Sequence, residues 1–188
     1  MGFIRSETQD SESIATPVLR DDDEPSAINW VEKGCVQSVK DQGNCGSCYS
    51  FAATGAIESA HCALTSELLD LSEKDCLDCS FRFNRGCKGG HMEGCYEYFS
   101  QSKKLCYEDQ YQYKPKYQVC KEEECTLGHI LYEPVLSYHK IEKKDIYGLM
   151  AALDKNPVSL AVQADSSMFM NYKTESCLIL NLSPVGSK

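Results

Sequence analysis

The chain of 188 residues carries a formal net charge of −9 and is 42% hydrophobic, proportions that fit a folded protein and exclude a disordered one. Its 19 Lys and Arg against 28 Asp and Glu form no basic stretch, which excludes a nucleic-acid partner. Twelve cysteines point to an oxidising compartment, lysosome, vacuole or extracellular space, although "MGFIRSETQD" at the start has no apolar run of signal-peptide length and no stretch approaches a membrane span.

From Ser6 to Ser26 the chain is polar and acidic, with "DDDEP" at Asp21 to Pro25, and reads as a linker. After Cys48, the residues Phe51, Ala52, Gly55, Ala56, Ser59 and Ala60 recur at helical spacing, which predicts a closely packed, buried helix from Cys48 to Leu64. Ser72 followed by Glu73 and Asp75 is a capping signal for a short helix through Leu77. A third helix follows Gly90, with Met92, Cys95, Tyr96 and Phe99 on one face. Tyrosines and lysines crowd between Cys106 and Cys125 without a period, as in an irregular region held by bridges. Tyr132 to Ile141 reads as a strand. Asp145 to Pro157 is an amphipathic helix with Ile146, Leu149, Met150 and Leu153 inward, stopped by Pro157, and "VSLAVQA" at Val158 to Ala164 follows as a buried strand. Helices first and strands later make an α+β protein with a helical lobe and a β lobe.

The stretch "DQGNCGSCYSFAA", Asp41 to Ala53, admits three chemistries. A C-x-x-C at a helix start is the form of a dithiol redox centre, but such pairs follow a strand, and here Gly43 and Asn44 interrupt. Zinc would need a second pair, which Cys76 and Cys79 could supply. The third reading is a nucleophilic thiol. A cysteine is a weak nucleophile at its free pKa of about 8.5, and a helix N-terminus is where aligned peptide dipoles favour a thiolate. Cys48 has that position, and the oxyanion formed when a thiolate attacks a carbonyl would find donors in the Cys48 N–H and an upstream side-chain amide, Gln42.

The segment "SVKDQGNCGSCYSFAA" closely resembles the active-site segment of papain-like cysteine peptidases of the cathepsin L type. The likeness runs on through "PSAINWVEKGCV", "LDLSEKDCLDCS" and "GCKGGHMEGCYEYF", and spans roughly Pro25 to Tyr172. It implies Cys48 as nucleophile, Gln42 as oxyanion-hole side chain, and disulfides Cys45 to Cys87 and Cys79 to Cys120. It also implies that the Gly89-Gly90 backbone pairs with an extended substrate beside His91. Met92 and Ala161 would line the S2 pocket and favour an apolar side chain at the second residue before the scissile bond. Tyr49 is a departure, since the family usually has tryptophan there.

By the same likeness the fold is a papain-like two-lobed α+β structure. Residues 1–23 are a propeptide tail and linker, 24–130 a complete, mainly helical lobe, and 131–188 an incomplete β lobe. The family's chemistry also needs a late histidine as base and an asparagine to hold its ring. The four histidines are His61, His91, His129 and His139; Ser183 stands where the resemblance places the base, so the chain reads as truncated before both groups. The expectation is a cysteine-type endopeptidase, a hydrolase working through a Cys48 thioester without cofactor or metal. Its expected partners are peptide or protein substrates and cystatin-like inhibitors, with no nucleic acid and no membrane, and the chain a monomer. The competing expectation is an inactive homologue that binds peptides or inhibitors.

Overall fold

Four α-helices form among the described residues, and local sequence sets most of their ends. The computed structural model describes residues 28–102, 104–121, 123, 125, 129–130 and 137–162, with backbone alone at 129–130. Helix α1 is Cys48–Thr65, α2 is Glu73–Cys79, α3 is Met92–Ser102 and α4 is Ile146–Lys155; a 3-10 turn, Gly86–Lys88, precedes α3. A two-residue antiparallel ladder pairs β1, Lys104–Leu105, with β2, His129–Ile130. No helix among the described residues is long and apolar enough to cross a membrane.

Ser72 caps α2 as its sequence predicts. Its backbone is extended and its Oγ accepts the Asp75 N–H at 3.1 Å, satisfying one of the first-turn donors that a helix leaves open. The same hydroxyl donates to the Tyr111 carbonyl. All seven residues of α2 are buried, four of them charged. That is tolerable only because each charge is matched. Lys74 pairs with Asp78 one turn on at 3.0 Å and donates to the Lys116 carbonyl. Asp78 also accepts from the Tyr111 hydroxyl and the Gln118 N–H, both at 2.8 Å. Asp75 accepts from the Tyr98 hydroxyl at 2.9 Å and the Cys106 N–H at 3.2 Å. Helix α2 therefore organises the irregular segment after Cys106 by polar contacts that a hydrophobic pattern does not encode.

The buried face of α1 differs from the expected one. Tyr49, Ser50, Ala53, Thr54, Ile57, Glu58, Ser59, His61 and Cys62 are buried, whereas Phe51, Ala52, Gly55, Ala56 and Ala60 are half-exposed. The polar residues explain the shift. Glu58 goes inside because its Oε1 accepts the Leu71 N–H at 2.7 Å and lies 3.4 Å from Lys40 Nζ, and Ser50 because its hydroxyl donates to the Glu73 carbonyl at 2.6 Å. Around this face Leu69, Leu71, Leu77, Tyr98, Phe99, Leu105 and Tyr111 close one core.

Five disulfides tie these elements: Cys35–Cys62, Cys45–Cys87, Cys76–Cys95, Cys79–Cys120 and Cys106–Cys125. The Cys45–Cys87 and Cys79–Cys120 bridges span 42 and 41 residues, and on loop-closure entropy a bridge of that span stabilises the fold by about 4 kcal/mol. At the other end, the Trp30 indole N–H donates to the Leu153 carbonyl of α4 at 2.8 Å, and Lys33 Nζ sits 4.5 Å from the centre of the same ring.

The expected strand at Val158 to Ala164 is not a strand over its described part, 158–162. Val158 and Ser159 are half-buried, and Leu160, Ala161 and Val162 are exposed. The segment meets α3 through side chains, with Tyr96 and Ser159 hydroxyls 2.8 Å apart, and not through a backbone ladder. Positions 137–141 are likewise irregular; 132–136 and 163–164 lie outside the described residues, as do the linker through Ser26 and Ser183.

Candidate active site

The turn before α1 is built by its glycines and its aspartate. Asp41 Oδ1 accepts the Gly43 N–H at 2.8 Å, and Gly43 holds φ +59, where a side chain is strained. A Cβ there would also lie 2.9 Å from the Pro115 side chain. The turn aims the Gln42 amide back at its own chain, so that Nε2 donates to the Cys45 carbonyl at 2.7 Å. A primary amide has two N–H groups, so this bond fixes the amide and leaves the second donor for a ligand. Gly46 N–H donates to the Cys87 carbonyl at 3.0 Å beside the Cys45–Cys87 bridge.

Cys48 is the first residue of α1, half-buried, and the one unbridged cysteine among the described residues. Its own N–H lies in the first turn, where a helix provides no acceptor. Cys45 is spent on Cys87, and Cys76 and Cys79 on Cys95 and Cys120, so neither a dithiol couple nor a zinc set survives at "CGSC". The buried group Asp75, Cys106 and Cys125 has both sulfurs in one bridge and both Asp75 oxygens hydrogen-bonded, which leaves no thiolate to hold an ion.

The Gly89-Gly90 segment is held from below by Asn84, which sequence reasoning missed. Buried Asn84 accepts the His91 N–H on Oδ1 at 2.7 Å and donates through Nδ2 to Ser80 Oγ at 2.9 Å. Any Cβ on Gly90 would sit 2.3 Å from Asn84 Oδ1. Gly89 has φ +105, and its carbonyl accepts the Arg85 N–H at 3.0 Å. Tyr49 supports the same segment from α1: its ring is buried and its hydroxyl donates to the Gly86 carbonyl at 3.1 Å. Burial, with the Asp78 charge nearby, pushes that phenol well above the usual tyrosine range. The Cys45–Cys87 bridge and Tyr49 thus join the turn before Cys48 to the Gly89-Gly90 segment. His91 and Met92 are half-buried, with Met92 packed on the core, and Ala161 is exposed on the segment that Ser159 docks to α3.

A family model for the papain family cysteine proteases matches residues 24–178. This chain belongs to that family. The likeness extends to cysteine proteinase 3 of Dictyostelium discoideum, 42% identical over 151 residues covering 79% of this chain and 44% of that protein. The low-temperature-induced cysteine proteinase of Solanum lycopersicum is 35% identical, over 80% of this chain and 42% of the relative. The chain therefore spans less than half the length of these relatives. Among solved structures, a cysteine protease of Carica candamarcensis in complex with E-64 superposes with a TM-score of 0.72 at 28% identity, covering 80% of this chain and 68% of that one. The bromelain protease of Ananas comosus, also with E-64, gives 0.70 at 32%, over 80% and 66%. The fold is papain-like, and helices account for most of its described regular structure.

A charge cluster around Lys40 links the segment before α1 to α1 and α2. Lys40 Nζ is 2.7 Å from Glu73, 3.0 Å from Asp70 and 3.4 Å from Glu58. Burial pushes the Lys40 ammonium down, but the Glu73 hydrogen bond and the neighbouring carboxylate charges outweigh it and hold it above the usual lysine range. Burial pushes Glu58 up to about 7 against the Leu71 N–H and Lys40. Glu108 is also pushed up to about 7 by burial, although it accepts the Tyr113 N–H at 2.7 Å.

Proposed function

We propose that this chain carries the nucleophile of a papain-like cysteine endopeptidase, a hydrolase that cleaves peptide bonds through a thioester on Cys48. The observation that carries the reading is the unbridged Cys48 at the first position of α1, with Gln42 oriented by the Cys45 carbonyl, in a chain whose family match runs through both. The Cys48 sulfur forms the S–C bond while the carbonyl electron pair moves to oxygen, where the Cys48 N–H and the second Gln42 N–H receive it. Collapse expels the amine, which takes up the proton equivalent that the thiol gave up, and leaves the thioester, which water then hydrolyses. Extended substrate lies along Gly89 and Gly90 beside His91. Met92 and Ala161 bound the pocket for an apolar side chain at the second residue before the scissile bond. The bridges Cys45–Cys87 and Cys79–Cys120 fix both walls.

The leaving amine needs a proton donor, and His61 is not it. It lies 13 positions along α1 from Cys48, which at 1.5 Å per residue is about 20 Å away. A second reading is a homologue that holds peptides or cystatin-like inhibitors along the glycine wall without cleaving them. The bridged framework fits a monomer working in a lysosome, vacuole or extracellular space.

Treating the 188-residue chain with E-64 and with iodoacetamide, and assaying a dipeptide amide substrate, separates these readings. Selective E-64 labelling of Cys48 with turnover is expected for the peptidase. Labelling without turnover supports the binding homologue, and loss of E-64 selectivity, with only indiscriminate alkylation, overturns both.

A further inference from the structure

The oxyanion turn is held by a residue from a distant part of the chain. Tyr113 stands 71 positions after Gln42 and 66 after Ser47, in the irregular segment that follows β1. Its hydroxyl donates to the Gln42 carbonyl at 2.7 Å and lies 2.6 Å from Ser47 Oγ. A phenol has one proton, and the Gln42 carbonyl takes it, so Ser47 is the donor in the second bond. One hydroxyl thus grips the backbone at Gln42 and the residue before Cys48. The Tyr113 ring is in turn fixed, edge-on to Phe51 of α1 at 4.7 Å. Its backbone N–H is anchored on Glu108, and Pro115, two residues on, fills the space that glycine leaves open at position 43.

We infer that Tyr113 is a positioning residue for the oxyanion hole, setting the Gln42 amide relative to the Cys48 N–H by holding both ends of the turn. The inference rests on the peptidase reading above. Among the described residues no other bond ties the Gln42 carbonyl, so without the hydroxyl the turn relaxes while α1 and the Cys45–Cys87 bridge keep Cys48 in place. A shift of about 1 Å in a catalytic group costs about a hundredfold.

The test uses a dipeptide aldehyde with an apolar side chain, whose binding needs no leaving group. The thiol adds across the aldehyde: an S–C bond forms, the carbonyl pair moves to oxygen, and the thiol proton ends on that oxygen, which occupies the oxyanion position. In the 188-residue protein, Tyr113→Phe keeps the ring and removes the two bonds. The expected result is a loss of aldehyde affinity of about 10- to 100-fold with the rate of iodoacetamide alkylation of Cys48 unchanged, because alkylation forms no oxyanion. Ser47→Ala, which removes one of the two bonds, should give a smaller loss. The decisive comparison is Tyr113→Phe in a Gln42→Ala background, where the loss should vanish if Tyr113 acts through Gln42. An equal loss in both backgrounds, or unchanged affinity in Tyr113→Phe, overturns the assignment and leaves the peptidase reading standing. Failure of the unmodified protein to bind the aldehyde overturns that reading and this one with it.

Discussion

Glu58 offers the sharpest test of the energetics behind the site. Its side chain is only 2% exposed, one oxygen serves both the Leu71 N–H and Lys40, and burial raises its pKa from 4.5 to about 7. The folded state therefore keeps a proton on Glu58 between about pH 4.5 and 7 that the unfolded chain has lost. Stability from this group is complete below pH 4.5 and is lost as pH rises through 7. A shift of about 2.5 units, the difference between 7 and 4.5, corresponds to about 3 kcal/mol by pH 8. Glu58→Gln keeps an acceptor for Leu71 and cannot ionise. It should match the parent protein near pH 4.5 and exceed it by up to about 3 kcal/mol at pH 8. Urea titrations followed by circular dichroism at pH 4.5, 6 and 8 read this directly, with midpoints diverging as pH rises. A penalty for Glu58→Gln of equal size at every pH, or a parent protein that gains stability from pH 6 to 8, would refute the reasoning, because Lys40 would then hold Glu58 as a stable carboxylate.

Three further outcomes follow from the geometry. Gly90→Ala places a methyl group 2.3 Å from Asn84 Oδ1, so the wall must shift, and E-64 labelling should slow at least tenfold while Asn84→Gly,Gly90→Ala recovers part of it. Ser72→Ala removes the α2 cap and the bond to Tyr111, at a cost of about 1–2 kcal/mol measured by urea midpoint. Tyr49→Phe leaves the Gly86 carbonyl without its buried donor and should cost about 1–2 kcal/mol, with no effect on iodoacetamide alkylation of Cys48.

The legible parts of the fold are those whose causes are local. The Ser72 cap, the start of α1 at Cys48, the helix after Gly90 and α4 before Pro157 are written in neighbouring residues, and the structure forms all four. The buried face of α1 was not legible, because alanine and glycine fit either side of a helix and the choice fell to Glu58 and Ser50, whose partners lie on other elements. "VSLAVQA" has a strand's composition, yet composition alone does not supply the ladder that makes a strand, and residues 158–162 form none. At the candidate site, glycines and cysteines mark themselves by type, so the segment around Cys48 and the Gly89-Gly90 stretch stand out. Asn84 and Tyr113 do not: each is an ordinary polar or aromatic residue whose role exists only once chain separated by many residues is brought against it.

The chain's one tryptophan gives the molecule a built-in optical probe. Because the Trp30 indole is bonded to the last turn of α4 and covered by Lys33, its emission reports the joint between the N-terminal segment and α4. Fluorescence and far-ultraviolet dichroism therefore watch different parts of the same chain. A red shift of the tryptophan that precedes loss of helix signal on heating would mark the release of α4 while the five bridges still hold the rest together.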